Sequence, residues 1–344
     1  MQFQRSENKS KSMFYPLWPH RLVPDIAYGR WITFMVLFAI LFLLFYFTTG
    51  SLDRILDLPI PLFFCFIIAY IVPASHYICY QNLAAFDNIA PGLNLSIAEI
   101  VNIRSSLAGA TARTQILTLV IGLVAGGGHN YLLMTAQRGF MESMQLLDLL
   151  NGSFILVTFV IWCLIINVIG FLAANVWVVA RLAANVEINL LNTTNLRGFS
   201  RVAVYSTLLL IGTLASFPLL MTGDNTNYLT VVPGAIAILV SMVFIFLVPM
   251  LPIRKRIKAG KNLELEAIQE RINRVTQAQS SLLESTETLS QLQPLFDYRR
   301  EIQRVAEWPF DSPAFYRLLF YLFIPPLTWV GAALIERLVD TVNF

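Results

Sequence analysis

Lys, Arg, Asp and Glu are absent from seven long stretches of this chain: 31–52, 58–86, 114–137, 149–180, 202–223, 225–253 and 318–335. Each contains an apolar run near the ~20 residues that span a hydrocarbon core at ~1.5 Å rise per residue. The pattern predicts an all-α polytopic membrane protein with seven transmembrane helices. Composition agrees, since 56% of residues are apolar and 13% charged, against about a quarter charged in soluble domains. The organisation read from it is a tail at 1–30, a six-span bundle at 31–252, a helical insert at 253–312, and a last span with a short outer C-terminus at 313–344.

Basic residues orient the spans. With the N-terminus inside, the inner segments 1–30, 81–113, 181–201 and 253–317 carry 5, 2, 3 and 11 Lys and Arg, and the outer segments carry only Arg54, Arg138 and Arg337. Such crowding on one face is the positive-inside pattern. The third run is diluted by Gly126, Gly127 and Gly128. If it failed to cross, fifteen of the 24 basic residues would lie outside, so it is expected to span. The first 30 residues lack the short apolar core and small-residue cleavage site of a removable signal. The first span therefore reads as a retained anchor in a cytoplasmic membrane, with the tail near the inner headgroups. Cys65, Cys79 and Cys163 fall inside spans without paired spacing and read as small core residues.

Two polar segments have structure of their own. Ser96-Ile97-Ala98-Glu99 has the form of a capping box and predicts a helix from about Ile97 running into span three. In the insert, Leu265, Ile268, Ile272, Val275, Leu282, Leu289 and Leu292 follow an alternating three–four spacing like a coiled-coil seam, with Gln279 and Thr286 as polar positions in the register. Spans six and seven both meet the inner face, so the insert must go out and return. An antiparallel cytoplasmic hairpin turning within 280–293 satisfies this, with Leu295, Tyr298, Ile302 and Val305 on the returning arm. Pro294 is expected to interrupt a helix unless it sits in a first turn.

Catalytic motifs are missing. There is no G-x-x-x-x-G-K-[ST], G-x-S-x-G, H-E-x-x-H or C-x-x-C, so the chain reads as a non-enzyme without cofactor or metal. The nearest approach to a site is Gly126-Gly127-Gly128-His129-Asn130. It is either an interrupted helix lining a small polar cavity or a small-residue face, with Gly122, for close helix packing. Asn167 and Asn175 in span four read as interhelical hydrogen-bonding residues, with a binding role as the alternative. His76 and His129 lie roughly 15–20 Å apart along the membrane normal, too far for one haem iron. No span core carries a charged residue, which disfavours a proton-coupled pump. Arg254, Lys255, Arg256, Lys258 and Lys261 follow span six and are either anionic-lipid contacts or topology determinants. They require no nucleic acid partner.

Tyr298-Arg299-Arg300-Glu301, Glu307-Trp308-Pro309-Phe310-Asp311, Leu327-Thr328-Trp329-Val330-Gly331 and Glu336-Arg337 together resemble the C-terminal pattern of uncharacterised bacterial multi-pass inner-membrane proteins. The resemblance covers the last third of the chain. It implies a bacterial cytoplasmic membrane and no particular activity. The expected function is that of a scaffold, sensor or regulator whose hairpin, 262–307, docks a cytoplasmic protein or a second copy. The alternative is a channel or facilitative transporter for a small solute.

Overall fold

The computed structural model describes residues 14–49, 59–93, 95–138, 149–183, 186, 190, 196–220, 228–278 and 286–308, with scattered positions between 316 and 334. The chain is almost entirely helical. Its helices are α1 (Gly29–Thr49), α2 (Pro59–Ile89), α3 (Ile97–Ala108), α4 (Ala112–Arg138), α5 (Leu149–Leu182), α6 (Arg197–Leu214), α7 (Tyr228–Ala278) and α8 (Thr286–Arg304). Six of them (α1, α2, α4, α5, α6 and α7) are long and apolar enough to cross a membrane. The protein is membrane-embedded and multi-pass. The seventh apolar run, 318–335, lies mostly outside the described residues.

Burial sorts the six helices into two groups. α2, α5 and α6 form the interior, while α1, α4 and α7 keep most of their apolar surface outward. Lipid is as apolar as leucine, so burial alone gives helices little reason to associate there. Close packing and hydrogen bonds must do it instead.

The α4–α5 pair follows this rule along its whole length. Thr118, Gly122, Gly126 and Asn130 recur every fourth residue and meet α5 in antiparallel register. Thr118 approaches Asn167 and Gly170, Gly122 approaches Cys163, Gly126 approaches Phe159, and Asn130 approaches Ile155. A Cβ added at Gly122 would sit 2.6 Å from the Cys163 Cα, and one at Gly126 would sit 3.1 Å from the Phe159 Cα. The backbones touch there because no side chain intervenes. α2 packs on α6 in the same way, with Gly198 under Ala85 and Ile89 and Gly212 under the Tyr70 hydroxyl.

α4 runs unbroken through Gly126, Gly127 and Gly128, which fits the close-packing reading and not the interrupted helix. The seam explains the continuity. Glycine's entropic cost, about 1 kcal/mol each relative to alanine in a helix, is offset at Gly126 by contact with α5.

Three further expectations are revised. The helix begun at Ser96 has the full capping box, with Ser96 Oγ accepting from the Glu99 N–H and the Glu99 carboxylate accepting from the Ser96 N–H at 2.8 Å. It does not continue into the third span, however. It ends at Ala108, because Ala110–Thr111 pairs as a short antiparallel strand, β2, with Phe14–Tyr15, β1. Gly109 lets the two strands meet, since a Cβ there would collide with the Tyr15 carbonyl oxygen.

The N-terminal tail is likewise not simply a headgroup-level segment. Leu17 and His20, the latter in a short 3-10 helix at Trp18–Leu22, are buried, with His20 against Ser75 and His76 of α2 and Phe171 of α5. Pro294 lies inside α8 rather than in its first turn. The residue is exposed, so its missing N–H costs one helical hydrogen bond on a solvated face. The adjoining face keeps the helix in place through Leu295, Tyr298 and Ile302 against α7.

α7 itself is a single 51-residue helix, about 75 Å long at ~1.5 Å per residue. It carries span six and the first arm of the insert without a break, despite Pro233, Pro249 and Pro252.

Replacing Gly122 or Gly126 by Leu should over-pack the α4–α5 seam by about 1–3 kcal/mol and lower the melting temperature in detergent. Gly128→Ala, whose Cβ would meet nothing within 4 Å, should not lower that temperature.

Candidate functional site

The polar residues singled out inside the spans each bond to a neighbouring helix, Asn167 and Asn130 doing so along the α4–α5 seam. Asn167 donates to Thr118 Oγ1 at 2.9 Å, and Asn130 donates to the Ile155 carbonyl at 3.3 Å. Asn175, two turns further along α5, donates to the Leu107 carbonyl of α3 at 3.4 Å. Gly126 lies in the packed seam. Gly127 has only ordinary contact with the Phe159 ring, and Gly128 faces open space.

His129 bridges three helices. The Trp162 indole N–H donates to its Nδ1 at 2.8 Å, and its Nε2 lies 3.0 Å from the Leu229 carbonyl. The indole has only a proton to give and the carbonyl can only accept, so the ring is a neutral imidazole with its proton on Nε2. That arrangement ties α4, α5 and α7 together.

Sequence reasoning missed a fourth pairing, Asn82 of α2 donating to Ser206 of α6 at 3.3 Å. Both residues sit near the basic ends of their helices, where a polar side chain reads as an interfacial one until the partner is seen. The amide oxygens of Asn82, Asn167 and Asn175 are buried and accept no hydrogen bond among the described residues.

At the basic end of the bundle the structure pairs His76 with His20, not with His129. The rings meet edge-on with centroids 5.4 Å apart, and Phe171 of α5 closes the other side of His20 at 5.9 Å. Ser75 Oγ donates to the Val72 carbonyl, so it accepts from His20 Nε2 at 3.1 Å, which fixes that tautomer too. The Arg30 Nε–H donates to His76 Nδ1 at 3.4 Å. Burial, and secondarily the neighbouring His76, push the His20 imidazole down to about 3. No periodic pattern in the tail announces this contact, because a single turn of 3-10 helix is too short to have one.

The five cations after span six divide by role. Arg254 lies over the Trp308 ring at 4.5 Å and within 3.9 Å of the Glu307 carboxylate. Arg256 donates to the Val186 carbonyl at 3.2 Å. Lys261 donates to the carbonyls of Gln303 and Val305 at 2.7 and 3.0 Å, where α8 ends and leaves such groups unpaired. Lys255 and Lys258 stay exposed.

Beyond this base, Tyr298 donates to Glu264 at 3.0 Å, and Ile268, Ile272 and Ile302 form a small core. Leu190, from the segment between α5 and α6, packs against that core. The contacts pair later α7 residues with earlier α8 residues. The turn expected within 280–293 falls partly on 279–285, outside the described residues.

Among the described residues no group of three or more His, Cys, Asp or Glu side chains is placed to hold a metal ion. No protein-family model, curated protein or solved structure matches the chain. The C-terminal resemblance noted above therefore gains no family assignment.

His20 is neutral in the folded chain and has an ordinary value of 6.5 when released. Its depressed folded value means that its contribution to stability is complete above 6.5 and is lost as the pH falls from there towards about 3. The melting temperature of the detergent-solubilised chain should fall through this window. His20→Gln keeps a donor for Ser75 without a titrating ring and should flatten the fall.

Proposed function

We propose that this chain is a non-enzymatic membrane scaffold or regulator, in which α7 and α8 form an antiparallel cytoplasmic hairpin that docks a protein partner or a second copy. The observation that carries the reading is the way the hairpin is mounted. α7 passes from span six into the hairpin without a joint. Arg254, Lys261 and Leu190 then clamp the returning arm to it. A rigid mount of this kind transmits position and force between the spans and whatever binds the arm. The hairpin's own core is small, and Leu263 and Phe296 are exposed at 67% and 44%, leaving apolar contacts for a partner.

The span interior supports the same reading. Its polar side chains meet one another or backbone carbonyls across helix pairs, which is what holding helices together requires. The distribution of Lys and Arg supports an orientation with the N-terminus and hairpin in the cytoplasm, seven crossings, and an outer C-terminus. The C-terminal resemblance supports placement in a bacterial inner membrane.

A facilitator for a small solute is the second reading. It is favoured by the three buried amide oxygens of Asn82, Asn167 and Asn175 that accept no bond among the described residues.

Photo-crosslinkers at Leu263 and Phe296 in cells should give a discrete adduct, and deletion of 262–307 should leave membrane insertion intact while removing the same complex from native pull-downs. An unchanged complex in the deletion, or a reporter near residue 285 found outside the cytoplasm, would end the docking reading. Solute flux into proteoliposomes that falls with Asn167→Leu would establish the facilitator instead.

A further inference from the structure

The outward face of α7 is apolar for six turns and then abruptly cationic. Val232, Ile236, Val240, Phe244, Leu247 and Leu251 recur every three or four residues, each between 37% and 64% exposed. The next positions on the same stripe are Lys255 and Lys258, both exposed. The opposite stripe, Val231, Ala235, Ile238, Met242, Ile245, Ile253 and Ile257, is buried against the bundle. The helix does not break between these segments, so a lysine of this pair stands one turn beyond the last leucine that meets acyl chains.

The neighbouring cations are already committed. Arg254 is held by Trp308 and Glu307, Arg256 by the Val186 carbonyl, and Lys261 by the end of α8. Those three serve the fold.

The geometry points to a binding site for the headgroup of an anionic phospholipid on the outer side of α7, with Lys255 and Lys258 meeting the phosphate while the acyl chains lie along Leu251, Leu247 and Phe244. Lipid is the occupant because the two exposed ammonium groups directly continue an exposed apolar stripe, matching a charged headgroup joined to acyl chains. A lysine ammonium near a charged leaflet contributes about 1 kcal/mol, and two on adjacent turns reach the same headgroup. The site lies within two turns of the Arg254 and Lys261 clamps, so an occupied headgroup also braces the base of the α7–α8 unit. The assignment concerns this helix face alone and stands whether or not the unit docks a partner.

Native mass spectrometry of the full chain, released from nanodiscs of phosphatidylcholine with a minority of phosphatidylglycerol, tests it. The wild-type chain should retain phosphatidylglycerol in preference to phosphatidylcholine. K255Q/K258Q should reduce that preference roughly thirtyfold, the order expected for two surface lysines, while K255R/K258R restores it. R271Q removes a charge from the arm well beyond the membrane and should leave the preference unchanged. Equal preference in wild type and K255Q/K258Q, with both chains folded by circular dichroism, would overturn the site. So would an equal loss in R271Q, which would show attraction to net charge rather than to this face. Soluble glycerol phosphate should not displace the retained lipid, and displacement at millimolar concentration would equally overturn it by showing a free-phosphate site.

Discussion

Hydrocarbon offers a helix neither a hydrogen-bond partner nor a reason to leave lipid, and this double constraint organises the bundle. Helices that associate must do so by removing side chains from the contact or by sharing polar atoms across it. The α4–α5 seam does both on one four-residue repeat, with glycines in the middle and Thr118 and Asn130 towards the two ends. α2 and α6 repeat the solution with Gly198 and Gly212 flanking the Asn82–Ser206 bond. The outward faces of α1, α4 and α7, which have no such residues against a neighbour, are left to lipid.

The basic end of the bundle is governed by a different balance. Water reaches it, so charged groups can stay, yet the tail delivers an uncharged imidazole into the gap between α2 and α5. His20 stays neutral there because burial penalises its charged form and the neighbouring His76 disfavours a second charge beside it. The β1–β2 pairing holds the tail in register beside it and takes up the backbone groups where α3 and α4 would otherwise have merged.

α7 connects these regions to the outer arm. A continuous helix forces everything that follows span six to take its direction from the span. The cations around the exit then have divided duties. Those facing the bundle or α8 meet carbonyl and carboxylate oxygens, and Lys255 and Lys258 stay exposed. Surface ion pairs of the Arg254–Glu307 kind contribute little on their own. The stacking of Arg254 on Trp308 and the two hydrogen bonds from Lys261 give the base its geometry.

The sequence by itself determined the membrane class, the capping box at Ser96 and the apolar seam of the insert, because periodicity and charge exclusion are properties of consecutive residues. It also contained the Gly122 and Gly126 repeat as one of two readings. The tertiary structure chose between them, since whether a glycine run breaks a helix or packs it depends on what stands opposite. Only the fold could show that His76 answers to His20, that Asn82 meets Ser206, and that Arg254, Arg256 and Lys261 are held by the protein while Lys255 and Lys258 stay exposed. Those outcomes depend on which residues of distant helices share a depth and a face, and a linear pattern holds no record of that.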